Sequence, residues 1–215
     1  LLIAIWHVIP AIRSGNTVVI KPSPYTPLST LRFVELANQV LPAGVLNIVT
    51  GQDDLGPLMT GHAGIDKIVF TGSTATGKKI MQSAAGNLKR LTLELGGNDA
   101  GIVLPDVDVE AVAPGIFASS FINSGQTCAA LKRLYVHEDI YEDMCTALKN
   151  IADNATVGNG LDEGVDFGPV QNRPQLTIVE AMAKDAKEKG GRFLSGGVSP
   201  EGPGYFYPLT LVADV

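Results

Sequence analysis

The stretch Lys67-Ile-Val-Phe-Thr71-Gly72-Ser-Thr-Ala-Thr-Gly77 joins a short apolar run to a glycine-flanked turn that opens a helical pattern. Its first five residues, 67–71, are predicted to form a buried strand, and the helix is predicted to continue to about Ala85. Strand and helix patterns alternate in the same way upstream, where the predicted strands lie at 17–20 and 45–49. Such alternation with short connections indicates an α/β fold built on a parallel sheet with crossover helices.

The next predicted strand alternates strictly and is followed by a glycine pair. Leucines at 91, 93 and 95 share one face of this strand, and Glu94 interrupts the apolar pattern. Because Gly96-Gly97 frees the backbone to turn, we place a domain boundary there, between residues 1–95 and 96–215. The second part is predicted to be another α/β domain, with a loop at 156–171, strands at 133–137, near 193 and at 206–213, and helices at 105–122, 139–153 and 175–189.

Composition and charge exclude several classes of function. The 215 residues are 45% hydrophobic and 18% charged, which is usual for a globular protein with a sizeable core. The net charge is −6 and the charges are interspersed, so nucleic acid is not expected as a partner. The opening apolar run, Leu1–Trp6, is too short to span a membrane. Two cysteines and three histidines show no metal-ligand spacing, so no metal is expected.

One of the two cysteines lies in the polar loop Asn123-Ser-Gly-Gln-Thr-Cys128. A thiolate in an accessible loop can attack carbonyl carbon, so Cys128 is a candidate nucleophile, although the same position also suits a small buried apolar residue. Cys145 falls in an amphipathic helical pattern, 141–152, and is expected to be buried. A disulfide between the two cysteines remains open, but this cysteine usage favours a reducing compartment, and we expect a cytoplasmic protein.

The turn at Gly72–Gly77 follows a strand and opens a helix, where free backbone N–H groups and the helix dipole favour a phosphate. It lacks the middle glycine of the dinucleotide fingerprint G-x-G-x-x-G. With Lys78 it matches G-x-x-x-x-G-K, the phosphate loop of nucleoside triphosphatases, but Lys79 stands where that loop needs Ser or Thr for Mg²⁺. A phosphate-binding nucleotidase and an ordinary glycine turn are therefore alternatives.

Three motifs, in their order along the chain, resemble those of the aldehyde dehydrogenase superfamily: Val69–Gly77, Leu91–Gly97 and the loop that ends at Cys128. Each motif is weak alone, but Glu94 lies 34 positions before Cys128, near the spacing of the family. The resemblance covers essentially the whole chain. It implies that residues 1–95 are the later part of a Rossmann-like dinucleotide-binding domain, and that residues 96–215 are the first, incomplete part of a catalytic domain.

The resemblance also implies a reaction and the residues that carry it. Cys128 would form a thiohemiacetal and then a thioester with a small-molecule aldehyde, and Glu94 would be the general base that activates water to release a carboxylate. The implied cofactor is NAD, with NADP possible. Lys21 is assigned to the adenosine ribose and Gly51 to the adenine side of the cleft. The other residues assigned to cofactor binding are Phe70, Thr71, Gly72, Ser73, Gly77, Leu95 and Gly96.

Both ends of the chain fall within apolar runs, and the first residue is Leu1 and not Met. These features predict an internal piece of a longer protein. By the resemblance, that parent would be a homo-oligomer, and the 215 residues alone would not turn over aldehyde because flanking segments would complete the site. A catalytically silent fragment that only binds or packs against partners is the remaining alternative.

Overall fold

The computed structural model describes every residue from Leu1 to Val215. Contacts between residues divide the chain into two compact units, Leu1–Gly96 and Gly97–Val215. None of the helices combines the length and the apolar character needed to cross a membrane. No three histidine, cysteine or acidic side chains are grouped in a way that would hold a metal ion.

The first unit alternates helices and strands in the predicted order. β1 pairs with β2 and β3 with β4, both in parallel, and α2 or α4 makes each crossover. The predicted parallel α/β architecture is thus confirmed, although the strands form two pairs and not one continuous ladder. The elements are α1 (Leu2–Arg13), β1 (Val18–Ile20), α2 (Leu28–Ala37), β2 (Leu46–Ile48), α3 (Leu55–Gly61), β3 (Lys67–Gly72), α4 (Thr74–Ala85) and β4 (Arg90–Leu95).

The first parallel pair carries its own small core. Val8 of α1, Val34 of α2 and Leu46 of β2 are buried against one another. Burying an aliphatic side chain of this size contributes about 2 kcal/mol, so these contacts hold the strand pair against two helices. The carboxyl ends of the two strands lie side by side, with Ile20 opposite Ile48.

A buried lysine anchors the entry to the second parallel pair. Lys89 is 9% exposed, and its ammonium donates to the carbonyl oxygens of His62 and Ile65, each at 2.5 Å. Both carbonyls lie in the turn between α3 and β3. A buried ammonium needs such acceptors because an unpaired donor in the interior is costly. One side chain therefore ties the start of β3 to the start of β4.

The second unit contains one parallel and one antiparallel strand pair. β5 pairs with β6 in parallel, with α5 as the crossover, and β7 pairs with β8 in antiparallel fashion. The predicted loop at 156–171 is confirmed, with one isolated bridge between Val157 and Phe167. The elements are β5 (Asp99–Val103), α5 (Val109–Phe121), β6 (Leu131–Val136), α6 (Tyr141–Asn154), α7 (Arg173–Glu188), β7 (Arg192–Ser195) and β8 (Leu211–Ala213), with short 3-10 turns at Ile122–Gly125 and Glu138–Ile140.

The core of the second unit lies between α5, α6 and the parallel pair. Phe117, Met144 and Leu148 are buried at its centre, and Val103 joins them from β5. The last strand differs from the prediction, because only Leu211–Ala213 of the predicted 206–213 pairs with a neighbour. Pro208 has no N–H to donate to a ladder, which explains why regular pairing begins after it.

Candidate active site

Cys128 follows a turn with an unusual backbone. The 3-10 turn Ile122–Gly125 contains three successive residues with left-handed angles, Asn123 at φ 54°, Ser124 at φ 56° and Gly125 at φ 74°. Cys128 lies three residues beyond this turn, and its thiol is free and exposed. The predicted accessible cysteine on a polar loop is therefore confirmed as a structural feature; its catalytic role is a separate question.

Side chains of the loop bind the segment just before α7. The Ser124 hydroxyl donates to the Gly168 carbonyl at 3.1 Å. The Gln126 amide nitrogen donates to the Pro169 carbonyl at 3.2 Å, and its amide oxygen accepts from the Gln171 N–H at 2.8 Å. The loop that carries Cys128 is thus joined to a segment more than forty residues further along the chain.

The backbone on both sides of Cys128 is also fixed by hydrogen bonds. Lys132 donates through Nζ to the carbonyl oxygens of Thr127, at 2.8 Å, and Ala130, at 3.3 Å. A Cβ added at Gly97 would lie 3.1 Å from the Cys128 carbonyl oxygen and 2.7 Å from an Asp99 carboxylate oxygen. Gly97 is therefore the small residue that lets the Cys128 backbone lie close to the segment just before β5.

The second cysteine, Cys145, is buried, which restricts access to its thiol. Cys145 on α6 is 8% exposed, and burial, with a smaller contribution from the Glu142 carboxylate, raises the pKa of its thiol. Both thiols are free, so the disulfide left open from the sequence is wrong. The expected burial of Cys145 is confirmed.

We expect iodoacetamide to alkylate Cys128 well before Cys145 on the folded protein. The reactive species is the thiolate, and a raised pKa leaves less of it at Cys145 while burial restricts access. Brief alkylation followed by peptide mapping measures the order of labelling. Labelling of Cys145 first would contradict the difference in exposure, and labelling in denaturant, where the two rates should converge, is the control.

Glu94 lies near the carboxyl end of β4 in the first unit. It is paired in register with Thr71 of β3, and residues opposite each other in a parallel pair share a face. The side chain is exposed. The leucines at 91, 93 and 95 occupy one face of β4, and Glu94 lies on the other, so its carboxylate is accessible to solvent.

The proposed cofactor residues Phe70, Gly72 and Ser73 meet where β3 ends. A Cβ on Gly72 would overlap the ring of Phe70, so only glycine fits beside that ring. Ser73 caps α4, since its hydroxyl accepts from the Thr76 N–H at 3.2 Å. The first turn of α4 carries no acidic residue. A helix N-terminus that directly follows a parallel strand suits a phosphate group, so these residues fit a dinucleotide.

Two other proposed cofactor residues pack against each other. Gly77 is buried in α4, and a Cβ there would lie 2.9 Å from a methyl carbon of Leu95. Gly77 therefore brings α4 close to β4, the role of the last glycine in dinucleotide-binding βαβ units. Gly96 follows Leu95 and is exposed.

The remaining proposed cofactor residues follow the first strand pair. Lys21 comes directly after β1 and is half-buried, with its ammonium donating to the Pro22 carbonyl at 2.8 Å. Gly51 lies beyond β2, where an added Cβ would come within 2.9 Å of the Leu55 side chain at the start of α3. Both positions lie at carboxyl ends of parallel strands, where open α/β sheets bind ligands.

The nucleotidase alternative is wrong on geometry. α4 begins at Thr74, so Gly77 and Lys78 already lie within the helix. A phosphate loop instead needs its backbone N–H groups to converge on the anion before the helix starts. Lys78 and Lys79 are both exposed on the helix surface.

Sequence reasoning overlooked one contact at the proposed cleft. His7 of α1 bonds through Nε2 to the Thr71 hydroxyl at 3.1 Å, which places the imidazole at the end of β3. The two residues are 64 positions apart, and a lone histidine in an apolar helix carries no signal of such a contact.

The whole chain is similar to known proteins of one family. The model of the aldehyde dehydrogenase family matches residues 1–215. Phenylacetaldehyde dehydrogenase from Pseudomonas fluorescens is 42% identical over 217 residues, which cover 100% of this chain and 43% of that protein.

Solved structures agree with the family match. Lactaldehyde dehydrogenase from Escherichia coli superimposes with a TM-score of 0.95 at 38% identity, over 100% of this chain and 45% of that one. Aldehyde dehydrogenase C from Pseudomonas syringae, a mutant in complex with NAD⁺ and octanal, has a TM-score of 0.92 at 35% identity, over 97% and 44%. The chain spans less than half the length of each of these relatives. The resemblance seen in the motifs is confirmed: the chain belongs to the aldehyde dehydrogenase family.

Proposed function

We propose that the protein carrying this chain oxidises an aldehyde to a carboxylate with NAD⁺ or NADP⁺. The observation that carries the proposal is the free, exposed thiol of Cys128, on a loop that is hydrogen-bonded to the segment before α7. The family model matches the chain from end to end. A complex of one relative with NAD⁺ and octanal supports a small-molecule aldehyde as the substrate.

Cys128 begins the proposed reaction. Its thiolate attacks the aldehyde carbon and forms a thiohemiacetal, whose oxyanion would be stabilised by the Cys128 backbone N–H and a side-chain amide. The nicotinamide, when bound, supplies the two-electron acceptor that takes the hydride. Glu94 then removes a proton from the water that cleaves the Cys128 thioester, and the thiol is released with the carboxylate.

The first unit would hold the cofactor. Lys21 would donate to the adenosine ribose hydroxyls, and Gly51 would line the adenine side. Phe70 and Gly72 at the end of β3 and Ser73 at the N-cap of α4 would face a phosphate, while Thr71, Gly77, Leu95 and Gly96 would complete the site. Residues 1–95 are accordingly proposed as part of the dinucleotide-binding domain, and residues 96–215 as part of the catalytic domain. We also propose a homo-oligomeric protein in a reducing compartment, the cytoplasm.

The direct test is aldehyde-dependent formation of NAD(P)H by the protein that carries this chain. A panel of short, long and aromatic aldehydes, octanal among them, is assayed by absorbance with each cofactor. Turnover of at least one aldehyde is expected. Cofactor binding without turnover of any aldehyde would overturn the proposal and favour a catalytically silent protein.

We expect appreciable use of NADP⁺ beside NAD⁺. A carboxylate three positions after Lys21 would accept bonds from the ribose hydroxyls and repel a 2′-phosphate, but that position is Pro24. Lys21 and Ser23 leave a cation and a hydroxyl nearby. Steady-state kinetics with both cofactors measures the ratio of kcat/KM. A preference for NAD⁺ beyond about a thousandfold, or about 4 kcal/mol, would mean that another feature excludes the phosphate.

A further inference from the structure

The turn before Cys128 is strained. Left-handed angles are unfavourable for residues with a Cβ, because the Cβ crowds the following carbonyl oxygen. Asparagine tolerates these angles and glycine adopts them freely, as at Asn123 and Gly125. Serine is not favoured there, yet Ser124 has φ 56°. Such a conformation persists only where surrounding contacts determine it, and it tends to occur where function needs a fixed geometry.

The contacts that determine this turn come from outside it. Gln126 uses both ends of its amide, donating to the Pro169 carbonyl and accepting from the Gln171 N–H. Ser124 adds its hydroxyl bond to the Gly168 carbonyl. A planar amide held at both ends has one orientation, so Gln126 fixes the loop in direction as well as in distance.

The segment that receives these bonds is itself immobilised. Val170 is buried in a small core with Leu176 and Tyr207, and its N–H donates to the Tyr205 carbonyl at 2.9 Å. Asn172 caps α7 by accepting from the Gln175 N–H at 2.9 Å. Residues 168–171 therefore form a fixed support for the strained turn.

We propose that Ser124 and Gln126 are positioning residues that hold the left-handed turn against residues 168–171 and so fix the Cys128 thiol for attack. The inference rests on the proposed function, with Cys128 as the nucleophile. Without these bonds the turn relaxes toward ordinary right-handed or extended angles, and the thiol two residues beyond Gln126 moves. The residues proposed to bind the cofactor make none of these bonds, so the affinity for the cofactor should be unaffected.

Gln126→Met tests the role of the Gln126 amide, because methionine keeps the length of the side chain and loses the hydrogen bonds to Pro169 and Gln171. A displacement of about 1 Å in a reacting group costs about a hundredfold in rate, so we expect kcat to fall by about that factor while KM for the cofactor stays unchanged. Gln175→Met is the matched control: Gln175 is an exposed glutamine on α7 whose side chain makes none of these bonds. Kinetics are measured well below the melting temperature of each variant.

Amide hydrogen exchange provides a readout that does not depend on activity. Gln126→Met should speed exchange at residues 122–128 and 168–171 and leave α5 and α6 unchanged. If the wild-type protein oxidises no aldehyde, the proposed function fails. Hydrogen exchange still decides whether Ser124 and Gln126 hold the turn against residues 168–171. Unchanged exchange in the turn, or unchanged kcat in a protein that turns over aldehyde, would overturn the inference.

Two substitutions at one position separate the strain from the hydrogen bond. Ser124→Ala and Ser124→Gly both lose the bond to Gly168, but glycine adopts φ 56° without a steric penalty. The expected order of kcat is wild type, then Ser124→Gly, then Ser124→Ala. An alanine variant more active than the glycine variant would show that the left-handed geometry is not what the loop must keep.

Discussion

Replacing Cys128 with alanine is expected to abolish aldehyde-dependent NAD(P)H formation in the protein that carries this chain. Alanine removes the sulfur that forms the covalent bond, and the other thiol of this chain, Cys145, is buried. Loss of a catalytic nucleophile costs about four to six orders of magnitude in kcat. Initial rates with saturating cofactor and aldehyde measure the loss.

Cys145→Ala is the matched control for this result. It also removes one thiol, but one that is buried on α6. Its activity should stay close to that of the wild type, with some loss of thermal stability from the small cavity. Titration with NAD⁺ should show that the Cys128→Ala protein still binds cofactor. A Cys128→Ala protein that retains even a tenth of the wild-type turnover would remove Cys128 from the nucleophile role.

Local patterns in the sequence were sufficient to predict the order of the elements in the first unit, whereas β5 of the second unit was not among the predicted strands. The β-branched runs at 17–20 and 67–71 become β1 and β3, and the glycine turn at 72 leads directly into α4 as expected. These features depend on neighbouring residues only. The end of the chain was predicted less well, since Pro208 interrupts the apolar run from which a longer strand was inferred.

The environment of the site depends on contacts that no local pattern carries. Gln126 meets Pro169 and Gln171, and His7 meets Thr71, across separations of more than forty residues. The left-handed angle of Ser124 also has no local signal, because serine is not a residue that favours it. The sequence indicated which residues are proposed to carry the chemistry; only the tertiary structure showed which contacts hold the loop of Cys128.

The phosphate-loop alternative failed because it depended on where a helix begins. The pattern from Gly72 to Lys78 is compatible with either a loop or a helical turn, and the Ser73 cap decides for the helix. A serine at this position accepts from the N–H three residues on, and its bond to Thr76 starts α4 early. The Ser73 cap therefore distinguishes a helical turn from a phosphate loop, which the spacing of the glycines could not do.

Glu94→Gln is expected to separate the two halves of the reaction. Glutamine has the shape of glutamate but cannot accept a proton from water, so hydrolysis of the Cys128 thioester should slow while attack and oxidation continue. General-base catalysis contributes about 10²- to 10⁴-fold, and steady-state turnover should fall by that amount. Rapid mixing should still show a first burst of NAD(P)H, of about one equivalent per active site.

The accumulated thioester gives this prediction an independent measurement. Quenching the Glu94→Gln protein during turnover and mapping its peptides should show the acyl group on Cys128, in a larger fraction than in the wild type. Glu201→Gln is the matched control, because Glu201 is an exposed carboxylate in the loop between β7 and β8. Full turnover by Glu94→Gln would exclude Glu94 as the base. A lost burst with slow oxidation would instead place its carboxylate at the first step, where it would deprotonate the Cys128 thiol and not the water.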